Sequence, residues 1–376
     1  MRLEWNETQE LLRKTARDFF ARECPPSRVK EIEQTEAGYA PDLWRKMASL
    51  GWLGLPFAEK DGGSDGVIMD VMALMEEIGR AALPSPYLST VVLCGYLLSA
   101  AGTPAQRKLL ALIAKGERIA ALAIVESDGS YAAEDVYASA KASGDGYVLN
   151  GTKLFVMDGH IADTLIVVAR TQFGGSPDSG LSLFLADATA PGISRTRLNS
   201  MGGEGEAEVV FDDVRVGRDA LLGELHGGWT LVKEALRRGE LALCAYAAGG
   251  AQRSLEMAVE YAKQRVQFGR PIGSFQAIQH KVADMVTDVD NSRFLAYYAT
   301  WKLDSGQPCA LEIAQAKAYM SDAYRRVTRE AAQIFAGIGF VDNHDIQLYW
   351  RRAKACEVLF GDTDYHLERV AEQLEL

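Results

Sequence analysis

Three stretches of this 376-residue chain combine residue types suited to chemistry on a bound ring or phosphate. The first is Arg265-Val-Gln-Phe-Gly-Arg-Pro-Ile-Gly-Ser-Phe-Gln276. Its arginines and glutamines flank a tight Gly-Arg-Pro turn, with Phe268 and Phe275 nearby. Arginine offers a fork of donors suited to phosphate. Glutamine hydrogen-bonds a heterocycle or ribose, and phenylalanine covers an aromatic ring. The same composition suits a solvated corner between two helices. The second stretch is Gln333-Ile-Phe-Ala-Gly-Ile-Gly-Phe340, at the predicted end of a helix. Its glycines either admit a ligand close to the backbone or simply stop the helix. The third is Asn150-Gly-Thr-Lys-Leu-Phe-Val-Met-Asp-Gly159, in a β-rich region. Phe155 there either flanks a planar group or fills a core.

The elements that must position these stretches follow from periodicity. Residues 7–22 place Leu11, Leu12, Ala16, Phe19 and Phe20 on one helical face, and Pro25 and Pro26 stop that helix. Further helices are predicted at 41–50, 67–82, 86–101 and 104–115. The DGGSDG run (61–66) lacks the G-K-[S/T] ending of a phosphate loop and reads as a plain loop. From Ile119 to Val216 the helical period fades. Short β-rich runs appear, separated by turn-forming residues such as GDG (144–146) and NGT (150–152), the pattern of an antiparallel sandwich or barrel. From Trp229 the helical period returns, predicting four long helices near 229–267, 276–305, 308–337 and 344–373, which suggests an antiparallel bundle.

Composition narrows the field. Hydrophobic residues make up 48% and charged residues 24%, as in an ordinary globular protein. A net charge of −11 argues against a nucleic-acid surface spread over the chain. No apolar run is long enough to span a bilayer. The opening MRLEWNETQELLRK is polar and mixed in charge, unlike a secretory signal, so a cytoplasmic protein is expected. The five cysteines form no C-x-x-C pair and read as reduced structural residues. The five histidines show no metal-ligand spacing.

Taken together, the three stretches resemble the acyl-CoA dehydrogenase family, over nearly the whole chain. GTPAQRKLLALIAKGE (102–117), VVFDDVRV (209–216), RVQFGRPIGSFQAIQHKVADM (265–285) and QIFAGIGFVDNHDIQLYWRRAK (333–354) carry the resemblance as well. It implies an α+β multidomain fold: an N-terminal helical domain (1–118), a middle antiparallel β-sandwich or barrel domain (119–225) and a C-terminal four-helix bundle (226–376). It also implies FAD, an acyl-CoA thioester and α,β-dehydrogenation, with electron-transferring flavoprotein as the reoxidant. Carried over by motif, Arg265, Gln267, Phe268 and Gln276 would bind FAD. Gln333, Ala336 and Gly337 would reach its adenosine and pyrophosphate. The family supplies both sets from a neighbouring subunit, so the resemblance implies an oligomer. Phe155 and Met157 fall beside the flavin position, and Val125, Glu126 and Ser130 on a loop that contacts flavin and substrate.

The chain departs from the family pattern where the base should be. The family's Tyr-Glu-Gly-Thr stretch is Leu359-Phe360-Gly361-Asp362 here, so Phe360 stands in the glutamate's place. Some members carry the base on the first helix of the bundle, close to Gly239; Glu240 is its neighbour and the candidate base. Asp362 is the runner-up, and the position used by a further subgroup holds Tyr246. The bland reading of Glu240 is an exposed or ion-paired helix residue near Arg237 and Arg238. Met157 and Val125 replace flavin-bonding threonines, and Ala336 replaces a glycine. Asp364 and His366 read as surface residues of the last helix without a role. Tyr96 and Tyr246 read as core or as liners of an acyl pocket. Two functions follow. One is a self-sufficient dehydrogenase, a homotetramer or dimer. The other is a catalytically incomplete subunit paired with a homologous chain in a heterotetramer.

Overall fold

The structure, a computed structural model, describes residues 5–203 and 205–376. Helix α1 (Glu7–Glu23) opens with a capping box: the Gln9 N–H donates to Asn6 Oδ1 at 2.9 Å and the Asn6 N–H to Gln9 Oε1 at 3.1 Å. The Pro25-Pro26 pair both ends α1 and starts α2 (Pro26–Glu33), because proline lacks only an N–H that a first turn leaves unbonded. Helices α3 (Pro41–Ser49) and α4 (Ile68–Arg80) follow. The single helix expected over 86–101 is two elements. Tyr87–Cys94 winds as a π-helix and Gly95–Ala101 as α5; α6 is Lys108–Ala114.

The β-region forms β1 (Ala120–Ala123), β2 (Ser139–Ser143), β3 (Gly146–Met157), β4 (Thr164–Arg170), β5 (Leu181–Asp187), β6 (Ile193–Leu198), β7 (Glu206–Gly217) and the short β8 (Leu221–Leu222). The strand order is β6-β7-β3-β2-β4-β5-β8, with β1 on β4. Most pairs are antiparallel, as an antiparallel sandwich or barrel requires, with one correction: β1 and, at Ser139, β2 run parallel to β4. A second correction concerns NGT (150–152). It is no turn: it lies inside the continuous β3, where the pairing with β7 slips between Leu149 and Gly151. A bulge absorbs the glycine without ending the strand. Leu149, Val156, Leu165, Val167, Phe184, Val209 and Val214 form the buried core under this sheet.

After the sheet come α7 (Gly228–Gln264), a hairpin of β9 (Val266–Gln267) and β10 (Arg270–Pro271), α8 (Gln276–Asp304) and α9 (Ala310–Phe335). The expected fourth helix, 344–373, is broken into α10 (Ile346–Val358) and α11 (Thr363–Gln373). The break sits at Phe360 and Gly361, which take φ values of +62° and +98° that a right-handed helix cannot contain.

Packing divides the chain into two compact units whose borders do not follow the linear order. One comprises residues up to Glu31, Ile68–Leu83 and Glu240–Leu376; the other comprises Ile32–Val67 and Pro84–Gly239. Within the first unit α4 and the second part of α7 approach closely enough to require glycine on both sides. A Cβ on Gly79 would fall 1.8 Å from the Tyr246 carbonyl oxygen, and one on Gly249 1.8 Å from that of Glu76. The α4 Arg80 guanidinium pairs with Glu256 of α7 at this crossing. Among the described residues no helix is long and apolar enough to cross a membrane.

Candidate active site

In the helical unit, the Arg265 N–H closes the last turn of α7 on the Tyr261 carbonyl at 2.8 Å, and the Arg265 carbonyl accepts from Ile272 N at 2.8 Å. Between these bonds the chain makes a two-residue hairpin, with Arg270 opposite Gln267. The turn residues are Phe268 (φ +53°) and Gly269 (φ +80°), not the Gly-Arg-Pro run expected from the sequence. Two successive positive φ angles are what such a short hairpin demands. They leave the Phe268 ring 92% exposed. The Arg270 guanidinium lies 4.3 Å over the Phe275 ring, which meets Phe268 edge-on at 6.1 Å. Arg265, Gln267 and Gln276, the first residue of α8, are exposed as well.

The turn after α9 has the same character. Gln333, Ala336 and Gly337 are exposed, and Ala336 takes φ +56°. The Ala336 N–H donates to the Gln333 carbonyl, ending the helix. A Cβ on Gly337 would meet nothing, so this glycine leaves backbone open rather than relieving a clash. Tyr261 brings this turn and the hairpin together. Its ring packs on Phe335 at 4.8 Å, and His344 covers Phe335 at 4.4 Å. Sequence spacing carried no sign of that stack.

In the β-containing unit, Phe155 sits where the β3–β7 register slips between Lys153 and Val156. Its φ of +52° leaves the ring 47% exposed. The neighbouring Lys153 is fully buried; its ammonium donates to Glu126 Oε1 at 2.7 Å and to the Ile124 carbonyl at 2.9 Å. Burial pulls this lysine down to about 8, against the raising pull of Glu126. Glu126 also accepts the backbone N–H of Tyr137 at 3.1 Å and Ala138 at 2.9 Å. It is thus an anchor of its loop. Val125 is buried with its carbonyl accepting from Leu154 N at 2.8 Å. Ser130 Oγ accepts from Ala132 N at 3.0 Å, and Met157 lies half-buried opposite Glu206. Tyr96 is half-buried under the Arg238 guanidinium, 3.9 Å from its ring.

Glu240, on α7, is 4% exposed. Its Oε1 accepts from Arg369 Nη1 of α11 at 2.7 Å. Arg237 and Arg238, suggested as partners by the sequence, pair with Glu234 instead. Phe360, in the place of the family glutamate, is buried. Asp362 is exposed and caps α11, its Oδ1 accepting from Tyr365 N at 3.0 Å, which occupies it structurally. Tyr246 is buried core. The reading of His366 as a surface residue is corrected: it is fully buried, with Nε2 3.0 Å from the Phe360 carbonyl and Nδ1 3.3 Å from Arg369 Nη1. Burial, reinforced by Lys317 and Arg369, pulls it down to about 3. The buried Lys317 ammonium donates to the Cys356 and Gly361 carbonyls at 3.0 and 2.8 Å, closing the end of α10 and the break after it. Sequence reasoning missed Lys317. For Arg369 the one available signal was its i, i+3 spacing from His366.

Comparison with known proteins agrees along the whole length. The chain matches the acyl-CoA dehydrogenase N-terminal domain over residues 6–117, the middle domain over 121–214 and the C-terminal domain over 226–375. It is 32% identical to a 3-(aryl)acrylate reductase of Clostridium sporogenes, covering 98% of this chain and 99% of that one. Butyryl-CoA dehydrogenase of Megasphaera elsdenii has the same fold (TM-score 0.93, 31% identity, 100% of both chains). So does a chain of the ChsE4-ChsE5 complex from Mycobacterium tuberculosis (TM-score 0.91, 27% identity, 100% of this chain and 99% of that one). The chain belongs to the acyl-CoA dehydrogenase family and is an oxidoreductase acting on acyl-CoA thioesters.

Proposed function

We propose that the chain carries out α,β-dehydrogenation of an acyl-CoA with Glu240 as the base and FAD as the cofactor. One observation supports the FAD reading above others. The hairpin and the turn after α9, joined through Tyr261 and Phe335, expose a guanidinium, three side-chain amides and an aromatic ring on one unit. That donor set fits a dinucleotide: Arg265 for phosphate, Gln267, Gln276 and Gln333 for ribose and base edges, and Phe268 for a ring face. Ala336 and Gly337 would offer open backbone to the adenosine half. Phe155, exposed on the β-containing unit, is the aromatic residue this reading assigns to the flavin ring. Met157 and Val125 have no side-chain donor to offer it, so any bond there comes from backbone, and Ser130 completes the loop. Members of the family are generally FAD-dependent. Bound here, FAD would supply the acceptor for the β-hydride.

The protein's own part is the proton. An α-proton of a thioester is weakly acidic, so an ionised carboxylate must be held beside it. Glu240 is the buried carboxylate this reading assigns to that task. The same proposal takes 1–118, 119–225 and 226–376 as the functional divisions, an oligomer that completes each flavin site, electron-transferring flavoprotein as reoxidant, and the cytoplasm as location. A second reading, an incomplete subunit paired with a homologous chain, draws on two observations. Phe360 places no carboxylate at the usual position, and Glu240 is engaged by Arg369.

The deciding experiment is an anaerobic visible spectrum of the protein purified alone, before and after adding a panel of acyl-CoA thioesters. Bleaching of the flavin band by one thioester is expected from a self-sufficient dehydrogenase. Bleaching that appears only after a homologous partner chain is added supports the incomplete-subunit reading. Hydrogen peroxide formation in air would identify an oxidase.

A further inference from the structure

The buried corner around Glu240 contains more than the base needs. Glu240 lies on α7, Arg369 and His366 lie one turn apart on α11, and the Phe360 carbonyl lies in the break before α11. Hydrogen bonds run through them in a line: Glu240 Oε1 to Arg369 Nη1 at 2.7 Å, Arg369 Nη1 to His366 Nδ1 at 3.3 Å, and His366 Nε2 to the Phe360 carbonyl at 3.0 Å. The end partners define the imidazole. A carbonyl only accepts, so Nε2 carries the hydrogen; a guanidinium only donates, so Nδ1 offers its lone pair. His366 is therefore neutral.

We propose that Arg369 is a positioning residue for the dehydrogenation: it keeps the buried Glu240 carboxylate ionised and fixed in one orientation, with neutral His366 holding the guanidinium in place. This rests on the reading of Glu240 as base. A carboxyl removed from water tends to hold its proton, and a protonated carboxyl accepts none. An adjacent guanidinium offsets that tendency. A protonated imidazole would oppose it by repelling Arg369, and burial keeps His366 uncharged. Other groups facing this corner include Lys317 of α9 and Cys244 of α7, both of which interact with the Glu240 charge, and Cys356 of α10 and Asp362, which interact with Lys317. Lys317 is committed to Ser321 Oγ at 2.9 Å and to the carbonyls around the α10–α11 break. Arg369 is a cation in direct contact with the carboxylate, at 2.7 Å.

The test compares wild type with Glu240→Gln, Arg369→Gln and Arg369→Lys as purified holoenzymes. Infrared difference spectra across pH follow the protonated carboxyl band that is present in wild type and missing in Glu240→Gln. In Arg369→Gln that band is expected to appear at a pH higher by about one unit or more, the shift usual for a carboxylate losing an adjacent arginine. Arg369→Lys, which keeps the charge, is expected to restore the wild-type midpoint. The acid limb of flavin reduction by the most active thioester of the panel moves upward by the same amount in Arg369→Gln, whereas a purely structural role lowers the rate without moving the limb. An unmoved band in Arg369→Gln, or a band in Arg369→Lys displaced as far as in Arg369→Gln, overturns the positioning role. The base reading fails separately, if Glu240→Gln is reduced at the wild-type rate while the band still responds to Arg369. Near-ultraviolet circular dichroism identifies the folded variants, and Arg369→Met, which also removes the charge and is expected to move the band as Arg369→Gln does, carries the test where Arg369→Gln does not fold; an unmoved band in it overturns the proposal.

Discussion

The corner around Glu240 and the surface formed by the 265–276 hairpin and the 333–340 turn belong to the same compact unit but are built in opposite ways. At the corner, a carboxylate, a guanidinium and an imidazole are turned inward and bonded to one another. On the hairpin and turn, Arg265, Gln267, Phe268 and Gln333 are turned outward, on or beside backbone that takes positive φ at Phe268 and Ala336. The contrast follows the two tasks we propose for them. A group that must handle a proton needs a fixed charge state, and burial with chosen partners sets one. Groups that must receive a large cofactor need open donors and open ring faces. Phe155 repeats the second pattern in the β-containing unit, exposed on a positive φ beside a fully buried lysine.

The contrast can be broken or sharpened by substitution. The largest effect is expected from His366→Gln. Native His366 sits near 3 and an unfolded histidine near about 6.5. The native state therefore binds fewer protons than the unfolded one in that window. The stability this gives is full above about pH 6.5 and is lost as pH falls toward 3, on the order of a few kcal/mol in total. Glutamine, which does not titrate, should flatten that slope in denaturant melts run from pH 7 to pH 4; an unchanged slope would mean that His366 charges freely in the fold. Next in size, Arg265→Ala removes the charge-assisted contact to phosphate that we propose, and should weaken FAD retention by roughly 10- to 100-fold, with the melting temperature of the apoprotein unchanged. Retention equal to wild type in the purified oligomer would remove Arg265 from the cofactor surface. The smallest effect is expected from Ala336→Gly. Glycine adopts φ +56° without the penalty an alanine carries, so stability should rise by up to about 1 kcal/mol, read as a slightly higher melting temperature. A lower melting temperature would show that Ala336 is not strained.

Much of the fold was legible because long amphipathic periods survive any context. Helix α1 was expected over 7–22 and runs Glu7–Glu23. The misses share a cause, which is partners distant in the chain. Asn150-Gly-Thr reads as a turn by residue type, yet β7 pairs with β3 on both sides of it and keeps the strand continuous. Residues 87–94 read as ordinary helix, since periodicity over eight mostly buried positions does not separate a π-winding from an α-winding. Gly361 was the visible mark of the break in the last helix. The side chain that closes the break, Lys317, comes from α9.

The candidate site divides in the same way. The hairpin and turn residues were named from sequence because the job we propose for them depends on residue type and local spacing: donors and rings brought to the surface by short turns. The partner of Glu240 was not, because Arg369 is 129 positions away and meets it only when α11 packs on α7. His366 was misread as exposed for the same reason. By itself the sequence determined the family, the order of helical and β-rich segments, and which residues we propose for binding. Tertiary structure alone decided which charges are buried, with whom they pair and hence which protonation states they hold, because those depend on desolvation and on contacts between helices far apart in the chain.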